Sequence, residues 1–238
     1  MLWGLSARRL PLSLWVSPLH EMKRLLSLIL ILSMLLSLSA CASEEDIQLL
    51  VQGNLDELYL GKFSSDYMEL TGSSEAECLE SYERGIAAEA KLFTLLYSVE
   101  NPSDALMDDI AEMYREIYSY AKYSVSKAER QSDGSFSLTV KVYPIDIFRR
   151  VEKNWDKYME DFYSEYGYAD VDSMSETERA AFEAAWADSI IAAVYSCIPS
   201  LGYLKGVSIP VRVEKIDGYW TMSEEDFYQI DENIIYYP

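Results

Sequence analysis

The sequence predicts an α+β fold in which helices pack on one face of a small antiparallel sheet. Two observations support this prediction. Apolar residues recur at helical spacing over several long segments, and in two other places they alternate with polar residues and flank turn signals. The alternating segments read as hairpins rather than as strand–helix–strand units. We therefore expect about four strands, forming one sheet from two hairpins, and about five helices.

The first helix is predicted immediately after Ser43, because the three carboxylates that follow it suit the positive end of a helix dipole. Apolar residues at helical spacing carry this helix to about Gly61. Residues 63–71 are predicted to form a loop or a short turn. A capping-box pattern at residues 74–77 then begins a second helix, which runs to about residue 97.

A third helix is predicted with Asn101 as its cap and Pro102 in its first turn. After this helix, the spacing of apolar residues changes from the helical period to every second residue, which is typical of a strand. A strand is predicted over residues 123–129, a hairpin turn at 132–134 and a second strand over 136–143. The alternation in the second strand indicates that one of its faces is buried.

The second half of the chain has the same order of helices followed by a hairpin. A second capping-box pattern, at residues 175–178, marks the start of a helix, and an Asp-Gly pair at residues 217–218 marks a turn. The predicted elements are a fourth helix over residues 148–167, a fifth helix over 176–198, strands over 207–213 and 219–222, and a final helical segment over 224–233 capped by Ser223.

The chain divides into three parts by composition. Residues 1–21 precede a more convincing start at Met22 and are interpreted as an upstream extension, although the sequence leaves open whether Met1 or Met22 is the true start. Residues 22–40 open with basic residues, continue as a short apolar run and end in small residues, which are the three parts of a secretory signal. No linker rich in proline or glycine divides residues 41–238, so these are predicted to form one extracytoplasmic domain.

The end of this signal, at residues 38–41 (Leu-Ser-Ala-Cys), resembles the lipobox of bacterial lipoproteins, in which cleavage falls just before the cysteine. The resemblance implies that Cys41 carries diacylglycerol on its sulfur. The protein would then be anchored by lipid to the cell membrane and face outward. The alternative is an uncleaved anchor with an ordinary Cys41 thiol, but the apolar run is short for a bilayer crossing, which takes ~20 apolar residues.

The charge of the chain bears on its partners. The sequence has 20 Lys and Arg against 40 Asp and Glu. Four of these basic residues and one acidic residue precede Cys41, so 16 basic and 39 acidic residues remain after the predicted cleavage, with a net charge of −23. This charge disfavours nucleic acid as a partner and repels an anionic lipid surface. Membrane attachment therefore depends on the acyl chains of Cys41.

The mature chain lacks the residues that several common catalytic mechanisms require. The single histidine, His20, precedes the predicted cleavage site, so the mature chain has no Ser-His-Asp or Cys-His set and no histidine metal ligand. It also has no glycine-rich phosphate loop, and the sequence indicates neither an enzyme nor a cofactor. Cys78 and Cys197 are interpreted as buried thiols, and a disulfide between them stays open.

Carboxylates are the remaining candidates for chemistry. The acidic residues within 108–112 and 170–178 offer oxygen ligands, but they lack the spacing of a calcium-binding EF-hand loop. They are interpreted as solvated surface, and no metal site is predicted. A glycan-directed hydrolase without histidine would need two carboxylates that face one cleft. The sequence does not single out such a pair.

The tryptophans of the mature chain differ in their setting. Trp155 and Trp186 fall on apolar helical stripes and are predicted to pack in the core. Trp220 lies beside Tyr219 in the last predicted strand. Tyr219 and Trp220 are the candidate ligand-binding residues, because amphipathic aromatic side chains often line pockets.

Most of the mature chain is similar to uncharacterised lipoproteins of Gram-positive bacteria. The similarity rests on the lipobox, on residues 67–72 (Tyr-Met-Glu-Leu-Thr-Gly), on residues 143–146 (Tyr-Pro-Ile-Asp) and on residues 217–220 (Asp-Gly-Tyr-Trp). The resemblance implies a location in the cell envelope and brings no catalytic residue. The leading hypothesis is a non-catalytic domain that binds a ligand or a protein partner. The alternatives are the hydrolase described above and a passive structural protein of the envelope.

Overall fold

A computed structural model describes residues 42–167 and 169–238. The predicted extension, the signal and Cys41 lie outside the described residues. The helices are α1 (Glu44–Leu60), α2 (Ser65–Thr71), α3 (Glu75–Leu96), α4 (Asp104–Ser119), α5 (Ile147–Lys153), α6 (Trp155–Tyr158), α7 (Glu160–Tyr166), α8 (Glu176–Cys197) and α9 (Glu224–Glu232). The strands are β1 (Tyr123–Val125), β2 (Glu129–Arg130), β3 (Phe136–Val142), β4 (Val207–Ile216) and β5 (Tyr219–Met222).

The strands form one antiparallel sheet in the order β1-β3-β4-β5. β2 also pairs with β3, at the start of that strand, whereas β1 pairs with its end. The two hairpins meet along β3 and β4, where Phe136 lies opposite Val213 and Val142 lies opposite Val207. The inward-facing side chains are buried throughout β3 and between Ile209 and Val213 of β4, whereas the alternate side chains of both strands are mostly exposed. One face of the sheet therefore covers the core, and the predicted α+β class is confirmed.

Helix α1 runs along the β1 edge of the sheet. Its contacts identify the two ends of the sheet. Near its start, Glu44 accepts a hydrogen bond from the Arg130 backbone N–H at 3.2 Å. Near its end, Asp56 accepts a hydrogen bond from the Tyr123 hydroxyl at 2.8 Å. Because Arg130 pairs with Phe136, and Tyr123 with Val142, α1 points in the same direction as β3. We call the end with Ala42, Arg130 and Phe136 the Ala42 end, and the end with Val142 and Tyr143 the Tyr143 end.

Helix α8 is the most apolar long helix of the fold. Among the described residues it belongs to one segment, Glu176–Ser200, that by length and composition alone could cross a membrane. In the fold it contacts α4, α5, α6 and α7. Ile190 and Val194 on this helix have no exposed surface. Its apolar composition is therefore used in packing against four other helices.

Several predicted boundaries are confirmed by their caps. Both predicted capping boxes form, at Ser74 with Glu77 and at Ser175 with Glu178. The first helix ends at Gly61 as predicted. Local side-chain chemistry fixes these positions because each Ser hydroxyl satisfies a backbone N–H that the helix leaves without a partner.

The cap of the third helix was predicted wrongly. Ser103 rather than Asn101 caps α4, and its hydroxyl accepts a hydrogen bond from the Leu106 N–H at 3.1 Å. Residues 63–71, predicted as a loop, contain α2 because Ser64 caps it in the same way and Tyr67 is buried against the core. The short helix α2 depends on one cap and one buried ring, which the helical period does not reveal.

The predicted fourth helix is broken into α5, α6 and α7. At the first break Asn154 leaves helical geometry, with φ −117° and ψ 20°, and its amide donates a hydrogen bond to the Arg150 carbonyl at 3.0 Å. Such a side chain competes with the backbone ladder of a helix. The predicted strand over residues 123–129 is also split. Ser126 ends β1, because its hydroxyl accepts the Thr139 N–H at 2.9 Å.

Candidate functional site

The two aromatic residues singled out in the sequence lie in β5. Trp220 is 6% exposed, and its ring meets the ring of Phe136 edge-to-face with centroids 5.1 Å apart. Tyr219 is half-buried and lies opposite Ile216 in the β4–β5 hairpin. Most of the indole is thus packed against the core, and the phenol of Tyr219 lies near the tip of the hairpin. A ligand-binding role for the pair stays a prediction.

The other two tryptophans of the mature chain pack against the core, as predicted. Their rings meet edge-to-face, with centroids 5.6 Å apart. The Trp186 indole donates a hydrogen bond to the Tyr97 carbonyl at 3.0 Å, and so ties α8 to the end of α3. Trp155 donates from its indole to the Tyr163 hydroxyl at 3.1 Å.

The two cysteines of the described chain are both free and buried. The structure therefore has two separate thiols and no disulfide between Cys78 and Cys197. Burial, reinforced by the nearby Glu57 carboxylate, raises the pKa of the Cys78 thiol to about 12. Such a thiol stays protonated at neutral pH and is a poor nucleophile.

Two carboxylates of the protein hold tyrosine side chains in place. The Tyr59 hydroxyl donates to Asp231 at 3.0 Å, and the Tyr123 hydroxyl donates to Asp56 at 2.8 Å. Burial is the largest cause that raises the pKa of both phenols, and these carboxylates raise it further. The bonds fix α1 to α9 and to β1, so both carboxylates have structural partners.

The acidic segments predicted as solvated surface do not converge. Within residues 42–167 and 169–238, no group of three or more His, Cys, Asp or Glu side chains is placed to hold a metal ion. A depression of about 470 Å³ lies elsewhere, at the junction of α5 and α6, and is lined by residues 152–157. Its lining comes from one exposed stretch of chain with both charge signs.

Two lysines and two tyrosines come together at the Tyr143 end. The Nζ of Lys122 lies 5.0 Å from the ring centroid of Tyr143 and 5.2 Å from that of Tyr203. The Nζ of Lys141 lies 5.0 Å from the Tyr143 ring. We call these four residues the Lys–Tyr surface. The distances fit cation–π contact, which holds both ammonium groups beside one aromatic ring.

The Lys–Tyr surface is positioned by the sheet and by the loop that follows α8. The Tyr143 N–H donates to the Lys122 carbonyl at 2.9 Å, which continues the β1–β3 ladder. The Tyr203 hydroxyl donates to the Tyr120 carbonyl at 2.8 Å, and fixes the loop over the end of α4. At Gly206 a Cβ would lie 2.9 Å from the Tyr143 ring, so only glycine lets this loop approach so closely.

The electrostatics of this surface oppose those of the chain. The full sequence has a net charge of −20. Within the described residues, neither Lys122 nor Lys141 forms an ion pair with a carboxylate. Lys141, through a hydrogen bond, and then the charge of Lys122 lower the pKa of the Tyr143 phenol below its ordinary value. The surface is therefore locally positive and favours a negatively charged group.

Sequence reasoning missed this surface. Lys122 directly precedes β1, Lys141 lies in β3, Tyr143 directly follows β3, and Tyr203 lies in the loop after α8. The pairing register that joins them is not visible in the sequence. The one available signal was the alternation of β3, which places Lys141 on the exposed face of the sheet.

Comparison with known proteins shows a shared fold. No protein-family model matches the chain, and no curated protein matches it. Its structure is similar to the crystal structure of ycdA from Bacillus subtilis, which is described as a candidate lipoprotein. The TM-score is 0.51 at 18% sequence identity, and the match covers 79% of this chain and 55% of that chain. The chain thus spans just over half the length of that protein.

Proposed function

We propose that this protein is a lipid-anchored domain at the outer face of a bacterial cell membrane, and that it binds an anionic ligand or partner without catalysis. The lipobox at residues 38–41 supports the anchor, as does the fold shared with a candidate lipoprotein. The observation that carries the binding role is the convergence of Lys122 and Lys141 on Tyr143, without a carboxylate partner among the described residues. Carboxylate or phosphate groups are the matching chemistry.

The placement of the two ends suits this role. Ala42 directly follows Cys41 in the chain and lies at the opposite end of β3 from the Lys–Tyr surface. The seven residues of β3 extend over ~20 Å, at ~3.4 Å per residue. The Lys–Tyr surface and the residue that follows the proposed anchor thus lie at opposite ends of the sheet.

The hydrolase alternative has less support. It needs two carboxylates that face a cleft. Asp56 and Asp231 instead accept hydrogen bonds from Tyr123 and Tyr59, and so hold α1 to β1 and to α9.

The anchor is tested by Cys41→Ser. We expect the variant to lose the mass of the acyl group and to move from the membrane fraction to the soluble fraction, because the modified sulfur is gone. Cys78→Ser, which leaves the lipobox intact, is the matched control and stays with the membrane. Mass spectrometry and fractionation measure both. An unchanged mass and unchanged membrane association of Cys41→Ser would contradict the anchor.

The binding role is tested by the double substitution Lys122→Ala and Lys141→Ala in the lipidated protein held in detergent micelles. Polyphosphate and poly-glutamate serve as probes, measured by calorimetry. We expect binding of at least one probe to weaken about 30-fold, since the two charge-assisted contacts together contribute ~2 kcal/mol. The control is Lys91→Ala with Lys127→Ala, which removes two exposed charges elsewhere. No binding of either probe by the wild type, or an equal loss in both doubles, would contradict the proposal.

A further inference from the structure

The first described residue, Ala42, is fixed in the fold. It is 3% exposed, and its carbonyl accepts a hydrogen bond from the Arg130 guanidinium. Ser43 follows at once as the cap of α1, with a hydroxyl that accepts the Asp46 N–H at 3.1 Å. One residue of extended chain reaches at most ~3.6 Å. The position proposed to carry the acyl chains is therefore within one residue of the folded domain.

The same end of the sheet carries a projecting hairpin. β3 begins at Phe136, which lies opposite Val213 of β4. β4 continues for three more residues, to Ile216, and these residues pair only with β5. At ~3.4 Å per residue the hairpin reaches ~10 Å beyond the start of β3. Arg130, which bonds Ala42, pairs with that same Phe136, so the hairpin projects at the Ala42 end.

The side chains at the tip suit the interface between water and lipid. Ile216 is 46% exposed, and Tyr219, which lies opposite it in the hairpin, is half-buried. Lys215, the residue before Ile216, is also exposed. Aromatic rings with a polar group, together with lysines that extend towards water, are typical of membrane interfaces.

We propose that residues 215–219, the hairpin tip, rest in the headgroup layer of the leaflet that holds the acyl chains of Cys41. This inference rests on the proposed anchor. The tip adds a second point of contact, and two points fix the orientation of the domain where one would leave it free to tilt. Asp217 at the turn limits the depth, since a carboxylate stays in the hydrated part of the interface. The Lys–Tyr surface then points away from the membrane.

The test places a fluorophore at the tip of the full-length lipidated protein. Ile216→Cys is labelled with an environment-sensitive dye, and the protein is reconstituted into phosphatidylcholine vesicles. Lys205→Cys, an exposed position at the Tyr143 end, is the matched control. The buried thiols of Cys78 and Cys197 limit labelling elsewhere. We expect nitroxide lipids to quench the dye at position 216 ~3-fold or more above the dye at position 205.

Flotation of the same vesicles separates the two proposals. Equal quenching at positions 216 and 205, in protein that floats with the vesicles, overturns the docking of the tip and leaves the anchor intact. Protein that does not float overturns the anchor and this inference with it. Higher quenching at position 216 than at position 205, in labelled protein that keeps Cys41 and floats, together with loss of flotation in the Cys41→Ser form, supports both.

Discussion

Polar side chains meet in the interior where α1, α2 and α3 pack together. The Tyr67 hydroxyl donates to Asn54 at 2.6 Å, and both side chains are buried. The buried carboxylate of Glu57 lies near the same phenol and near Cys78. Burial is the main cause that raises the pKa of Tyr67 and of Cys78, and Glu57 raises both further. Both groups therefore stay neutral at physiological pH.

This neutrality predicts how Cys78 reacts. In a Cys197→Ser background at pH 8, we expect the folded protein to react with a disulfide reagent about 10³-fold more slowly than an ordinary cysteine, because a thiol with pKa about 12 holds so little thiolate. The absorbance of the released thiolate follows the reaction. The same variant unfolded in urea is the control and should react at the ordinary rate. A folded rate within tenfold of the unfolded rate would show that Cys78 is accessible.

For single residues, the sequence was most informative where the interacting residues are close together in the chain. The capping residues Ser74 and Ser175 were predicted because a cap and its partner lie three residues apart. Lys122, Lys141 and Tyr203 were not predicted as a group, because their proximity depends on strand pairing and on a distant loop. The sequence shows which residues carry charge, but not which of them meet.

The packing of α1 against α2 depends on one small residue. Gly53 lies within α1, and a Cβ added there would lie 2.1 Å from Cδ2 of Tyr67. Glycine is unfavourable in a helix interior, by about 1 kcal/mol relative to alanine. Its place in α1 is explained by the Tyr67 ring, which occupies the space of the missing side chain.

Gly53→Ala therefore sets helix propensity against packing. We expect it to lower the free energy of unfolding by about 1–3 kcal/mol, because an overpacked contact costs more than the better helix former contributes. Urea denaturation measures the change. In a Tyr67→Ala background the clash is removed, and the same substitution should be neutral or stabilising. Equal destabilisation in both backgrounds would show that Tyr67 is not the cause.

The elements were predicted best where periodicity is long and capped. α3, α8 and the β4–β5 hairpin lie where the sequence places them. The predicted fourth helix failed because the apolar spacing continues through Asn154 and Met159, although the backbone leaves helical geometry at both. Periodicity reports which side chains face the core, and three short helices bury the same stripe as one long helix.

At the scale of the whole molecule, the fold class followed from the order of helices and hairpins. The joining of the hairpins through β3 and β4 did not, because those strands are separated by four helices in the chain. That pairing decides which loops share an end of the sheet. It places the Lys–Tyr surface at one end and Ala42 with the β4–β5 tip at the other. The candidate binding surface was therefore beyond sequence reasoning.

The burial of Ala42 has a consequence for the proposed anchored form of the protein. A protease that releases a surface protein needs several residues of accessible, extended chain between the anchor and the fold. Here the carbonyl of Ala42 is already bonded to Arg130, and α1 begins at Glu44. In the anchored form, shedding would first require the opening turn of α1 to unravel. If the proposed anchor holds, the short stalk would protect the domain from enzymatic release.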